Sequence, residues 1–186
     1  MPTVRPCEDR DIAAVTALYA HHVLHGTGTF ETVPPTEADM RARRAEVLSR
    51  TLPYLVLADD DDSLAGFAYC NWFKPRPAYR YSAEDSIYLA PGRQGRGDGR
   101  LLLQALVDEA GRAGVRKLIA VIGDSGNAGS IGVHRALGFT RAGVLRDCGW
   151  KFGRWLDVVL MEKSLGAGSA TSPEIEESLP GPQSRP

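Results

Sequence analysis

The sequence predicts one domain of the α+β or mixed α/β class, a layered sheet of about seven strands with about four helices. Three observations lead there. Short apolar runs of strand length alternate with stretches whose apolar residues recur at helical spacing. The 186 residues are 43% hydrophobic and 24% charged, enough for one core and too few for two ordinary domains. A glycine-rich turn, Arg93 to Arg100, stands between a strand pattern and a strong helix pattern.

Val4 opens a short strand. Ile12, Val15, Leu18, Tyr19, His22 and Val23 then share one helical face, with Asp9 and Asp11 at its positive end and Gly26 and Gly28 stopping it. A linker from Thr27 to Pro35 holds Phe30 and Glu31. Thr36 with Asp39 is a capping signal for a second helix running to about Arg50. Tyr54 to Ala58 and Leu64 to Asn71 read as a hairpin around the solvated turn Asp59 to Ser63. Prolines 75 and 77 exclude a central strand between Lys74 and Tyr81. Ser86 to Leu89 is the next strand, ended by Pro91-Gly92. Leu101, Leu102, Leu103, Leu106, Val107 and Ala110 define a helix whose end is flanked by Gly111 and Gly114. A buried strand follows at Leu118 to Ile122, then a helix from Asn127 to Leu137 with Gly138 as its cap. Phe139 to Arg146 and Trp155 to Lys163 close as an antiparallel pair. From Gly166 to Pro186 the composition turns to Gly, Ser, Ala, Pro and Glu, which predicts a disordered tail after a folded domain spanning residues 1–165.

A net charge of −1 offers no basic field for nucleic acid. No apolar run approaches the ~18 residues of a membrane span. Met1-Pro2-Thr3-Val4-Arg5 lacks the regions of an export signal, and Cys7, Cys70 and Cys148 form neither a CxxC pair nor a zinc pattern. Reduced thiols in a cytoplasm are therefore expected. His21 and His25 share a helix face, but no carboxylate or further ligand follows at metal spacing, so no metal is expected.

The chemistry sits in Arg93-Gln94-Gly95-Arg96-Gly97-Asp98-Gly99-Arg100. Glycines let successive backbone N–H groups turn toward one concavity, and the helix N-terminus adds positive partial charge, which together suit phosphates. A Walker loop is excluded because Arg100 follows Gly99 where lysine should stand. A dinucleotide GxGxxG fails for want of its third glycine.

Gln94-x-x-Gly97-x-Gly99 between strand and helix resembles the pyrophosphate-binding motif of the GCN5-related N-acetyltransferases. Asn127-x-x-Ser130 and Gly138-Phe139 resemble that superfamily's second cofactor signature. Thr29-Phe30-Glu31, Lys74-x-Arg76-x-Ala78-Tyr79, Ala83-Glu84-x-Ser86-Ile87-Tyr88, Val121-Ile122-Gly123 and Lys151-Phe152-Gly153-x-Trp155-x-Asp157 narrow the likeness to the phosphinothricin and methionine sulfoximine/sulfone N-acetyltransferases. The resemblance covers about Val4 to Lys163. It implies a mostly antiparallel, twisted sheet and direct transfer from acetyl-CoA to the α-amino group of a small amino-acid analogue, usually by a homodimer.

The resemblance also implies roles, each with an ordinary alternative beside it. Glu84 matches the family's proposed catalytic base, or is a surface glutamate at a strand start. Asp85 points to the other face in an extended chain and is the weaker candidate. His134 stands where many superfamily members carry the tyrosine that protonates the CoA thiolate, or is a histidine packed on the sheet. Backbone N–H groups of Ile87, Tyr88 and Leu89 are candidates for the thioester oxygen. The turn residues Gln94, Gly95, Arg96, Gly97, Asp98, Gly99 and Arg100, with Asn127 and Ser130, are the expected cofactor contacts, although Asn127 is equally an N-cap. Lys74 and Arg76 suit a substrate carboxylate or phosphinate, or are a solvated basic loop. Phe30, Tyr79 and Ser86 belong to the expected acceptor site, with a core role open to the two rings.

Two other functions remain open at this level: acetylation of another acceptor such as a peptide N-terminus, and a silent CoA-binding regulatory module. Lys74 and Arg76 argue against a polyamine acceptor, whose charge they would repel.

Overall fold

A computed structural model describes residues 2–173. The order is β1 (Thr3–Pro6), α1 (Ile12–His25), α2 (Glu37–Ser49), β2 (Tyr54–Ala58), β3 (Leu64–Trp72), β4 (Ser82–Leu89), α3 (Asp98–Arg112), β5 (Lys117–Gly123), α4 (Ala128–Ala136), β6 (Thr140–Lys151) and β7 (Arg154–Ser164). The strands form one sheet in the order β1-β2-β3-β4-β5-β7-β6. Every pairing is antiparallel except β4 with β5. This is the mixed sheet of seven strands and four helices that the sequence predicts.

Local chemistry explains most boundaries. Thr36 and Asp39 close a reciprocal capping box at the start of α2, satisfying two N–H groups that the helix leaves without partners. Phe152 and Gly153 both have positive φ, the two-residue turn whose twist matches the strands it joins, so β6 and β7 are one hairpin. Two strands, β4 and β6, extend well beyond their predicted bounds. Ala83, Glu84 and Asp85 have weak strand propensity, yet β3 and β5 pair with them from both sides and override it. β6 runs on to Lys151 because a bulge between Leu145 and Gly149 absorbs Asp147, whose φ is 51°, and its neighbours.

Register partners share a sheet face. Tyr88, Ser86 and Glu84 therefore lie on the side of Phe67, Tyr69 and Asn71, where Tyr19 of α1 packs edge-on to Tyr88. Ala83, Asp85, Ile87 and Leu89 lie on the side of α3 and α4. There Leu102, Leu103, Leu106 and Ala110 are fully buried in the core. Burying each of the three leucines supplies roughly 1.5–3 kcal/mol and anchors α3 beside the predicted glycine turn. Of the predicted tail, residues 166–173 contain tight turns after buried Leu165, and the remainder lies outside the described residues.

Candidate active site

Pairing between β4 and β5 stops at Asp85 and Ala120, although the strands continue to Leu89 and Gly123. Their diverging ends open a cavity of about 630 Å³. Its walls are Asp85 to Leu89, Ala120 to Gly123, the loop residues Gly26 to Gly28, the glycine turn, and one face of α4. That size and mixed lining suit an organic ligand of some length.

The ladder decides which peptide groups face the opening. Phe73 N–H bonds Ser82 O at 3.0 Å and Ala90 N–H bonds Ala65 O at 2.9 Å, so even-numbered residues of β4 spend their peptide groups on β3. The groups of Ile87 and Leu89 turn toward the split. The N–H of Tyr88 belongs to the β3 ladder, which corrects the expectation that all three are available. His22 Nε2 lies 2.9 Å from the Leu89 carbonyl. A carbonyl only accepts, so the ring donates that bond, and burial lowers the His22 pKa.

At one end of the cavity, Gly95 and Gly97 have φ of 77° and 90°. Gly97 is the N-cap of α3 and offers no side chain, so the first N–H groups of the helix remain for a ligand. Gln94, Gly95, Gly97, Gly99 and Arg100 line the cavity, whereas Arg96 and Asp98 do not. Asp98 is buried and ion-paired to Arg93 at 2.7 Å, and Arg93 also bonds Asp59 at 2.8 Å. These contacts pin the turn. They give Asp98 a structural partner instead of a place on the predicted binding wall.

Opposite the turn, Asn127 Oδ1 accepts from the Ser130 N–H at 3.2 Å and caps α4. Both residues line the cavity, so the N-cap reading and a place on the ligand wall hold together. His134, only 1% exposed, also borders the cavity. Its Nε2 lies 2.8 Å from Asp85 Oδ2 and its Nδ1 2.7 Å from the Ser130 carbonyl. Burial pulls its pKa down, but the Asp85 hydrogen bond and charge, with the Ser130 carbonyl, leave it raised.

On the other face of β4, Glu84 stands beside Asn71, and Ser86 hydrogen-bonds Tyr69. Burial and Asp85 raise the Glu84 pKa, and Lys74 only partly opposes them. Glu84 does not line the cavity, nor do Phe30, Lys74, Arg76 or Tyr79. The ring of Phe30 is seated on the backbone of Gly149, where a Cβ would come within 2.3 Å of it. Lys74 and Arg76 are exposed, Lys74 lies over the Phe73 ring, and Tyr79 meets the same ring edge-on.

Several contributors were missed by sequence reasoning. Tyr19 OH donates to Glu31 at 2.9 Å, and Arg43 of α2 donates to the same carboxylate at 2.7 Å. Burial opposes ionisation of Glu31, but these bonds hold its pKa below the usual carboxylate value. Lys151 is 4% exposed and ties the Gly26 and Thr29 carbonyls to the hairpin. The only prior signal for any of these was that Glu31 and Lys151 fall inside the resembling segments. Among the described residues no cluster of His, Cys, Asp or Glu is arranged to hold a metal ion. No described helix is long and apolar enough to cross a membrane.

A sheet opened between two parallel strands, with a glycine turn and helix N-terminus at the opening, makes a site suited to a long, phosphate-bearing organic ligand. Residues 18–139 match the model of the acetyltransferase (GNAT) family, and the chain belongs to that family. A phosphinothricin N-acetyltransferase of Alcaligenes faecalis is 53% identical over 172 residues, covering 92% of this chain and 87% of that protein. An L-methionine sulfoximine/L-methionine sulfone acetyltransferase of Salmonella typhimurium is 37% identical over 169 residues, covering 90% of this chain and 97% of that one. Among solved structures, a phosphinothricin acetyltransferase from Sinorhizobium meliloti in complex with AcCoA superposes with a TM-score of 0.90. It is 41% identical and covers 93% of each chain.

Proposed function

We propose that this enzyme transfers an acetyl group directly from acetyl-CoA to the α-amino group of a small amino-acid analogue of the phosphinothricin or methionine sulfoximine/sulfone type. The observation that carries this reading is the split after Asp85, which opens one cavity between the phosphate-suited turn and the two faces of β4. The named relatives supply the acceptor class.

The residues fit the donor. The N–H groups at the start of α3 and the positive-φ glycines suit its diphosphate, and the peptide edge of Ile87 and Leu89 suits its amide-bearing arm. The donor supplies the activated acetyl group. The N–H groups along that edge stabilise negative charge developing on the thioester oxygen. Glu84, its pKa raised by burial and by Asp85, is poised to take a proton from an amine whose own pKa is about 8. Lys74 and Arg76 supply cations for the acceptor's carboxylate or phosphinate. His134 supplies the proton for the departing thiolate.

The folded catalytic unit is residues 1–165. We read the enzyme as a cytoplasmic homodimer, supported by free thiols at Cys7, Cys70 and Cys148 and by exposed Trp150, Phe152 and Trp155 around the β6–β7 hairpin. Sedimentation of the purified chain tests the dimer.

Free-thiol release from acetyl-CoA across a panel of amino-acid analogues tests the activity. With the best acceptor, Glu84→Gln should lower kcat by about 10²–10⁴-fold near neutral pH. Some of that loss should return at high pH, where the amine is already neutral. A mutant with near-wild-type kcat, chemistry being rate-limiting, would remove Glu84 from the mechanism.

A further inference from the structure

His134 has an acceptor at each ring nitrogen. A peptide carbonyl only accepts, and Ser130 O lies 2.7 Å from Nδ1. A carboxylate only accepts, and Asp85 Oδ2 lies 2.8 Å from Nε2. A neutral imidazole has one N–H and would leave one nitrogen lone pair facing an oxygen. The doubly protonated ring satisfies both contacts. Water cannot compensate for a mismatch there, because His134 is 1% and Asp85 6% exposed. The other titratable groups beside the pair are Cys70, the β3 register partner of Asp85, and Glu84, on the opposite face of β4. Phe139 closes the remaining side, its ring edge-to-face with the imidazole.

We propose that Asp85 is a positioning residue that holds His134 as an imidazolium at the cavity wall, storing there the proton that the departing thiolate needs. The proton has a route. Ser130 Oγ lies 3.4 Å from Nδ1, and Ser130 lines the cavity. In the transfer the Nδ1–H bond breaks as the Ser130 hydroxyl takes that proton. The hydroxyl's own O–H breaks in turn, and its proton forms the S–H bond of the product thiol. The ring is left neutral, with Nε2–H still bonded to Asp85 and the Nδ1 lone pair facing the Ser130 carbonyl. That repulsion, with the Asp85 charge, favours recapture of a proton from solvent for the next turnover.

The inference rests on the acetyl-transfer reading, but its first test needs no turnover. The full chain is labelled with ¹⁵N-histidine, and the His134 signals are assigned by their loss in His134→Gln. About one pH unit above the ordinary imidazole value of about 6.5, both His134 nitrogens should remain protonated. A neutral ring at that pH overturns the proposal, even if every acetylation assay succeeds. Asp85→Asn keeps the shape and removes the charge, so His134 should then titrate at lower pH. The alkaline limb of its kcat profile should move down with it, cutting kcat about tenfold or more on that limb. Acceptor KM should stay near wild type. If the ring's titration moves and the kcat profile does not, His134 is not the donor, and the proton-storage role falls while acetyl transfer stands. If no acceptor is acetylated, the functional reading falls, and with it the delivery step.

Discussion

Lys151→Met tests whether the hairpin holds the acceptor side of the site in place. The lysine donates to Gly26 O at 2.8 Å and Thr29 O at 2.7 Å, with almost no water contact. Burial depresses its pKa, and Glu31 partly counters that. Methionine keeps the aliphatic stem, so the change isolates the ammonium. Charge-assisted hydrogen bonds contribute roughly 1.5–3 kcal/mol each, and a buried carbonyl left without a donor costs about 1–3 kcal/mol. One donor serves both carbonyls and the loop can partly relax, so a net loss of about 3 kcal/mol is expected. In a domain of this size that is a fall in Tm of about 6–12 °C. The freed segment includes Thr27 and Gly28 on the cavity wall and Phe30 and Glu31 beside it. Acceptor KM should therefore rise more than kcat falls. Calorimetry with initial-rate kinetics reads both effects. A variant with wild-type Tm and wild-type acceptor KM would show that the lysine holds nothing the site depends on.

Gly97→Asp places a side chain at φ 90° and a carboxylate in the proposed phosphate cradle, where a Cβ meets no atom within 4 Å. Backbone strain of about 1–3 kcal/mol should leave the fold intact while titration calorimetry shows acetyl-CoA affinity lost; undiminished affinity would dismiss the cradle. Arg76→Ala should raise acceptor KM by about ten- to a hundredfold and leave the acetyl-CoA KM nearly unchanged, and the reverse pattern would assign the loop to the wrong ligand. Asp11 accepts from Arg5 at 2.7 and 2.8 Å and from the Glu8 N–H at 2.7 Å, which lowers its pKa. Its contribution is complete above the unfolded value of about 3.9 and disappears as pH falls through the folded one. Asp11→Asn should thus cost about 2 kcal/mol in neutral denaturant melts and little in acid, and an equal loss at both pH values would contradict the linkage.

The element order was legible because it rests on local signals. The capping box of Thr36 and Asp39, the glycine turn and the leucine periodicity of α3 each act within a few residues. Strand ends were less so. Asp147 and Gly149 look like breakers in one dimension, and only pairing with β7 shows the bulge that absorbs them. The split between β4 and β5 leaves no mark in composition, since it is a property of how far two strands diverge. The contacts around Glu31 required knowing that α2 returns Arg43 to the same loop. The 125-residue separation of Lys151 from Gly26 likewise has no sequence signature.

Glu84 and Asp85 show why adjacency in sequence misleads about chemistry. Strand alternation sends their carboxylates to opposite faces of the sheet, and each face has its own proton problem. Glu84 lies on the side of Tyr69 and Ser86 without a strong cationic partner, so burial keeps its pKa high and it is suited to accept a proton. Asp85 meets an imidazole and is suited to hold a proton there. The same Asp85 charge raises both neighbours' pKa values, discouraging a second negative charge at Glu84 and favouring a positive one at His134. Two titrating groups biased by one buried carboxylate should respond together. Asp85→Asn should lower the pKa of Glu84 as well as that of His134, moving both limbs of the kcat/KM profile down in pH. A shift of the alkaline limb alone would mean that the two faces are electrostatically independent.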